Sequence, residues 1–280
     1  MFKRQTSGSV VCASCGYLVG VKDERCYHCG RRNPGLWGFA PALRTLGQDL
    51  GFVPFVTGIC IVVYVVSLLL SGGNIGVAGM SFLSPDACAI VQLGASGGFP
   101  VFTLHRWWTV LSASWLHGNL LHILFNMYGV RQLGPGVAEL YGPGRMVIVY
   151  TAGGIVGFFF SSTMGLLLYP PEHFHMTLGA SASIFGLLGA AVYYGRRSGS
   201  RFVQSQAMYY AISMFIFGLL FPGIDNYAHA GGFAGGWLAG RLLDPLRPER
   251  INHMLGAVIC LVLSLLSIVV SYLVSTAPFC

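Results

Sequence analysis

The chain has 280 residues, 54% of them hydrophobic and only 9% charged, with a formal net charge of +7 at pH 7. That balance excludes a soluble globular domain of this length. Net positive charge is common among nucleic-acid binders, but here the basic residues sit between apolar runs where topology needs them, and no nucleic-acid partner is expected.

Residues 1–32 form a separate unit. Cys12-Ala-Ser-Cys15-Gly and Cys26-Tyr-His-Cys29-Gly are two C-x-x-C-G knuckles ten residues apart. Each glycine permits the tight turn that aims two thiolates at one ion. Four thiolates suit tetrahedral zinc, and about thirty residues cannot bury enough core to fold without such a staple. Two local disulfides, disfavoured by a cytoplasmic location, and a four-sulfur iron site are the alternatives. His28 reads as a bystander. The segment is expected to be a cytoplasmic, zinc-ribbon-like domain with structural metal at Cys12, Cys15, Cys26 and Cys29, open to a cytoplasmic partner.

Residues 33–52 read as a linker. Seven apolar runs follow, near 53–71, 114–134, 146–168, 179–195, 205–221, 227–243 and 254–276, each close to the roughly 20 residues that cross a bilayer. Of the 16 Lys and Arg residues, all but Arg106 fall on one set of alternate loops. This predicts a cytoplasmic N-terminus and an external C-terminus. The first span then reads as scaffold, with a long external loop, Gly72 to Thr109, lying partly in the bilayer interface. The expected fold is an all-α polytopic membrane protein: a six-helix core over 53–243, and a loop with one additional helix over 244–280.

The second span carries His117, His122 and Asn126. His122 and Asn126, four apart, share a helix face; His117 is expected about 140° away, near the outer surface. The pair fits interhelical hydrogen bonding, a metal site lacking its remaining ligands, or donors for a developing oxyanion. Gly153, Gly154 and Gly157 read as packing grooves in the third span. The fourth opens Leu178-Gly179-Ala-Ser181-Ala-Ser-Ile-Phe185, with Ala182, Gly186 and Ala190 as a small-residue ridge; the sixth has the matching Gly232, Gly236 and Gly240 below His229. The fifth reads as a lipid-facing wall or gate, and the seventh as an appended apolar helix.

If the two small faces meet, Ser181 and His229, each expected about one turn inside its helix, are level and adjacent. A serine beside a neutral histidine is an activated nucleophile–base pair. His122, Asn126 and the Ser181 N–H would then face the oxyanion. Asp225, one turn before His229, is read as a helix cap, leaving a dyad. Phe185 fits either a stacking partner for His229 or ordinary core.

The spacing of His117, His122 and Asn126, the Gly179-Ala-Ser181 segment and Ala228-His229-Ala-Gly-Gly in a later glycine-rich helix resemble the rhomboid intramembrane serine proteases across 53–243. The seventh helix matches that family's six-plus-one form. The resemblance implies a serine-type endopeptidase that cleaves transmembrane protein substrates in or near their membrane segment, with a Ser181–His229 dyad and no catalytic cofactor. It implies an integral protein of a bacterial inner membrane. A catalytically silent scaffold that binds transmembrane helices is the alternative. Two departures stand out: Ala182 where the family usually has Gly, and Trp108-Thr109 where its loop ends Trp-Arg. Leu93-Gly-Ala-Ser96-Gly-Gly spells the family's nucleophile letters better than Ser181 does, but Ser96 precedes no helix. Cys88 and Cys280 are both expected on the outside, and spacing alone does not pair them.

Overall fold

The computed structural model describes residues 4–13, 15–169 and 175–275. In the N-terminal unit β1 (Ser9–Val11) pairs antiparallel with β2 (Leu18–Gly20), placing Val10 opposite Val19. Among the described residues, those two valines with Cys12 and Cys26 are its buried core. So little apolar surface contributes only modestly against the chain entropy of folding, and the four thiols are gathered beside it.

The helices follow in order: α1 (Ala40–Arg44), α2 (Phe52–Leu70), α3 (Ala87–Leu93), α4 (Thr109–Ser112), α5 (Leu120–Tyr141), α6 (Pro143–Leu168), α7 (Ser181–Ser198), α8 (Arg201–Leu220), α9 (Asn226–Leu242) and α10 (Ile251–Val274). The seven apolar runs correspond to α2 and α5 to α10. Four of these, α2, α6, α8 and α10, are long and apolar enough to cross a membrane. Helix α6 is central, with 61% of its span buried, whereas 17–22% of the other three is buried. Helices α5, α7 and α9 carry His122, Ser181 and His229, and α7 and α9 turn their small residues toward each other and toward the glycines of α6.

Local chemistry sets the boundaries. Gly142, at φ +93°, ends α5, and Pro143 starts α6 at the first helical position, where its missing N–H costs nothing. Glu249 accepts from the Arg145 N–H at 2.8 Å, and the Arg145 guanidinium donates to the carbonyls of Leu243, Asp244 and Arg247. One buried arginine thus fastens the α9–α10 connection beneath α6.

Helix α5 begins later than its apolar run. Asn119 is its N-cap, accepting from the His122 N–H at 2.7 Å, and a short helical turn, Ala113–Trp115, precedes it. His117 therefore lies ahead of the helix rather than on its outer face. It is fully buried, its ring packed edge-on against His122 with centroids 5.2 Å apart. Gly118-Asn119 supplies the break and the cap that move it there. Ser181 is likewise the first residue of α7, not one turn inside it.

The ridge of α7 meets the groove of α9 residue for residue. A Cβ on Gly232 would overlap the Ala182 carbonyl, one on Gly236 the Gly186 carbonyl, and one on Gly240 would press on Ala190 at 3.2 Å. Helix α6 joins the same contact, with Gly153 against Gly186 and Gly157 against the Ala182 methyl. The extra methyl at position 182 is therefore seated over a glycine.

Helix α8 is mostly exposed, burying only Ala207, Ala211 and Gly218. Helix α10 is more than appended: it buries Ala257, Ser264, Ser267 and Ser271 along one face. The long loop before α4 is itself structured, containing α3 and a bridge between Ser96 and Thr177. Pro170, Pro171, Glu172, His173 and Cys280 lie outside the described residues.

Candidate active site

Three helix ends and one loop converge at the start of α7. His229, in the first turn of α9, directs Nε2 to within 3.0 Å of the Ser181 Oγ. Its other nitrogen, Nδ1, lies 3.1 Å from Oδ1 of Asn226. The Asn226 amide is oriented in turn, since its Nδ2 donates to the Phe215 carbonyl of α8 at 3.2 Å. With oxygen facing Nδ1, that nitrogen carries the proton, and Nε2 presents a lone pair to Ser181. The Phe185 ring stacks on the imidazole at 4.2 Å and 14°. An apolar cavity of about 300 Å³ opens beside His229, lined by Met208, Ala211, Phe215 and Phe233 among others.

Asn226 was not singled out in the sequence, where Asp225 drew attention as the nearby acid. Asp225 is the N-cap of α9: it accepts from the Ala228 N–H at 3.0 Å and from the Ser161 hydroxyl. The signal available was position, because Asn226 lies three residues before His229 on the same helix face.

Across from the pair, Gly179 at φ +118° brings its backbone against α5. A Cβ there would meet His122 Nε2 at 2.5 Å and Asn126 Nδ2 at 3.5 Å. The Gly118 N–H donates to His122 Nδ1 at 3.2 Å, which leaves the ring proton on Nε2, the nitrogen facing Gly179. Asn126 Nδ2 donates one hydrogen to the His122 carbonyl at 3.1 Å, and an amide has a second. The N-cap of α7 is Ala180, with no side chain capping the first turn. The first-turn N–H groups thus remain available to an anion.

A rhomboid-domain family model matches residues 104–245, from the end of the long loop through α9. The chain belongs to the rhomboid family. The "Rhomboid protease GluP" of Bacillus subtilis (strain 168) is 31% identical over 163 residues, covering 57% of this chain and 31% of that protein. "RHOMBOID-like protein 7" of Arabidopsis thaliana is 29% identical over 166 residues, 58% of this chain and 50% of its own. "Inactive RHOMBOID-like protein 8" of the same plant is 28% identical over 156 residues, 54% and 42%. The chain spans a third to a half of the length of these relatives.

The rhomboid domain accounts for the neighbouring serine and arginine differently. Ser96 is wholly buried, and its hydroxyl faces Ser162 at 3.3 Å and Thr109 at 3.4 Å, while the nearby His175 Nδ1 accepts from the Gly98 N–H at 3.3 Å. Thr109 donates to the Arg106 carbonyl at 2.8 Å and is also buried.

Outside the rhomboid domain, the sulfurs of Cys12, Cys15, Cys26 and Cys29 all lie within 4.8 Å of one another. Cys12 and Cys29 are 3.8 Å apart and Cys15 and Cys26 3.6 Å. A tetrahedron with zinc–sulfur bonds of about 2.3 Å has edges of about 3.8 Å, so the donor set fits the ion. His28 stands outside the cluster, stacked face to face on Tyr17 at 3.7 Å.

Proposed function

We propose that this rhomboid is an intramembrane serine endopeptidase acting on transmembrane protein substrates. The observation that carries the reading is the 3.0 Å approach of Ser181 Oγ to the unprotonated Nε2 of His229. His229 takes the hydroxyl proton as Oγ bonds to the scissile carbonyl carbon. The negative charge that develops on the carbonyl oxygen is met by His122 Nε2–H, the second Asn126 hydrogen and first-turn N–H groups of α7. The imidazolium then returns its proton to the leaving amine as the carbon–nitrogen bond breaks. Water, deprotonated by the same nitrogen, hydrolyses the Ser181 ester and regenerates the hydroxyl. Gly179 gives the carbonyl room to approach, and Phe185 keeps the imidazole in plane. His117 backs His122.

We place the N-terminus in the cytoplasm and the C-terminus outside, from the distribution of Lys and Arg, so that the site opens away from the cytoplasm. In this reading the domains are 1–32, 33–52, 53–243 and 244–280. The ribbon cysteines hold structural zinc, which takes no part in the reaction; nothing among the described residues identifies a cytoplasmic partner.

A silent scaffold is the second reading, favoured by a relative whose name calls it inactive. The decisive experiment reconstitutes the full chain in liposomes with a reporter transmembrane substrate and an activated fluorophosphonate. Cleavage and labelling that both vanish in Ser181→Ala support the protease. A folded wild type that neither cleaves nor labels supports the scaffold, and cleavage that survives Ser181→Ala overturns the assignment of the nucleophile.

A further inference from the structure

Helix α10 lies outside the stretch that matches the rhomboid family model, yet it is bonded to the loop that shapes the active site. Its buried face carries Ser264, Ser267 and Ser271. The first two hydroxyls are satisfied inside the helix, on the carbonyls of Cys260 and Ser264. Ser271 is different: wholly buried, it accepts a hydrogen bond from the Trp108 indole N–H at 3.0 Å, across 163 residues of sequence. Gly94, at the end of α3, is packed so closely here that a Cβ would come within 2.6 Å of the Ser271 Oγ.

Two short routes lead from this contact to the nucleophile. Trp108 is the residue from which α4 starts, and α4 runs into Ala113, whose carbonyl accepts from the Gly179 N–H at 2.8 Å. Gly94 is held by Ser112, whose hydroxyl donates to its carbonyl at 2.6 Å. Two residues on, Ser96 pairs with Thr177 through bonds in both directions, at 3.0 and 2.8 Å. Both routes end on the backbone of 177–179, immediately before Ser181. The Ser271 hydroxyl is wholly buried and the Trp108 indole half-buried, so the bond between them ties this loop to α10.

We propose that α10 is a positioning element of the active site, in which Ser271 holds Trp108, and through it α4 and the Ala113 carbonyl, where Gly179 must bind. The proposal rests on the reading of Ser181 as nucleophile only for its effect on rate. Its effect on the backbone is independent of any activity.

The test uses the full chain in liposomes with Ser271→Ala, Trp108→Phe, the double variant, and Ser271→Thr, which keeps the acceptor. Backbone hydrogen exchange at Thr177 and Gly179 should accelerate several-fold in both single variants and no further in the double. The loss of one buried hydrogen bond should lower kcat on the reporter, and the labelling rate of Ser181 per labelled molecule, about five- to tenfold. KM should stay near the wild-type value, and Ser271→Thr should recover most of the rate. Unchanged exchange in Ser271→Ala, or effects of the two single variants that simply multiply, would overturn the proposal. A silent wild type with accelerated exchange in the variants would instead count against the protease reading and leave the clamp standing.

Discussion

Asn226 Oδ1 sits 3.1 Å from His229 Nδ1, and the same amide is anchored on the Phe215 carbonyl of α8. In the proposed mechanism this neutral amide would hold the tautomer as a carboxylate does in a triad, without adding charge. Asn226→Ala is expected to lower kcat about tenfold or more by freeing the imidazole to hold its proton on either nitrogen. Asn226→Asp, which keeps the acceptor, should retain more activity than the alanine variant. Steady-state cleavage in liposomes, with Ser181 labelling as a count of active sites, measures both.

Removing oxyanion donors should act on turnover rather than on binding. His122→Ala and Asn126→Ala are each expected to reduce kcat by about 10²–10³-fold. KM should change little, because in the proposed mechanism these donors meet charge that appears only in the transition state. A rise in KM with kcat intact would assign them to substrate binding.

The contact between α7 and α9 leaves no room for side chains. In Gly236→Ala the new methyl overlaps the Gly186 carbonyl, so the helices must part and Ser181 must draw away from His229. A loss of about 1–3 kcal/mol in stability, of the size seen for overpacked cores, is expected together with loss of cleavage. Gly136→Ala, where nothing lies within 4 Å of the added carbon, is the matched control and should leave both unchanged. Thermal unfolding in detergent and reporter cleavage give the two readouts.

The ribbon should fold only with its metal. Metal analysis of the purified chain is expected to give one zinc per molecule. Cys26→Ser should lower that content and make residues 1–32 sensitive to protease while leaving reporter cleavage intact. Full metal content in that variant would remove the four-thiolate site, and loss of cleavage would show that the ribbon reaches the active site.

The elements of this site differ in how plainly the sequence shows them. The Ala182–Gly186–Ala190 and Gly232–Gly236–Gly240 repeats could be read because spacing by four is a face, and a face of small residues has few uses other than close approach. The place of His117 is not legible from apolarity, which does not mark where a helix begins; the Gly118-Asn119 cap does, and it lies inside an apolar run. Asn226 is hard to tell from Asp225 in the sequence because one residue of rotation separates them, and only packing decides which of the two faces His229. Ser271 was hidden for another reason. A serine in an apolar helix usually bonds its own backbone, as Ser264 and Ser267 do, and a composition that looks uniformly apolar does not reveal the one that reaches outward.

The helices that bear Ser181, His229 and His122 are α7, α9 and α5, and these three are not among the four that are both long and apolar enough to cross a membrane. Each is followed directly by one that is: α5 by α6, α7 by α8, α9 by α10. Chain order therefore sets each of these helices next to a successor that meets the length and apolarity of a span. The buried histidines and glycines of the site are held inside the bundle by contacts among α6, α7 and α9, while the neighbouring apolar helices carry most of the lipid-facing surface.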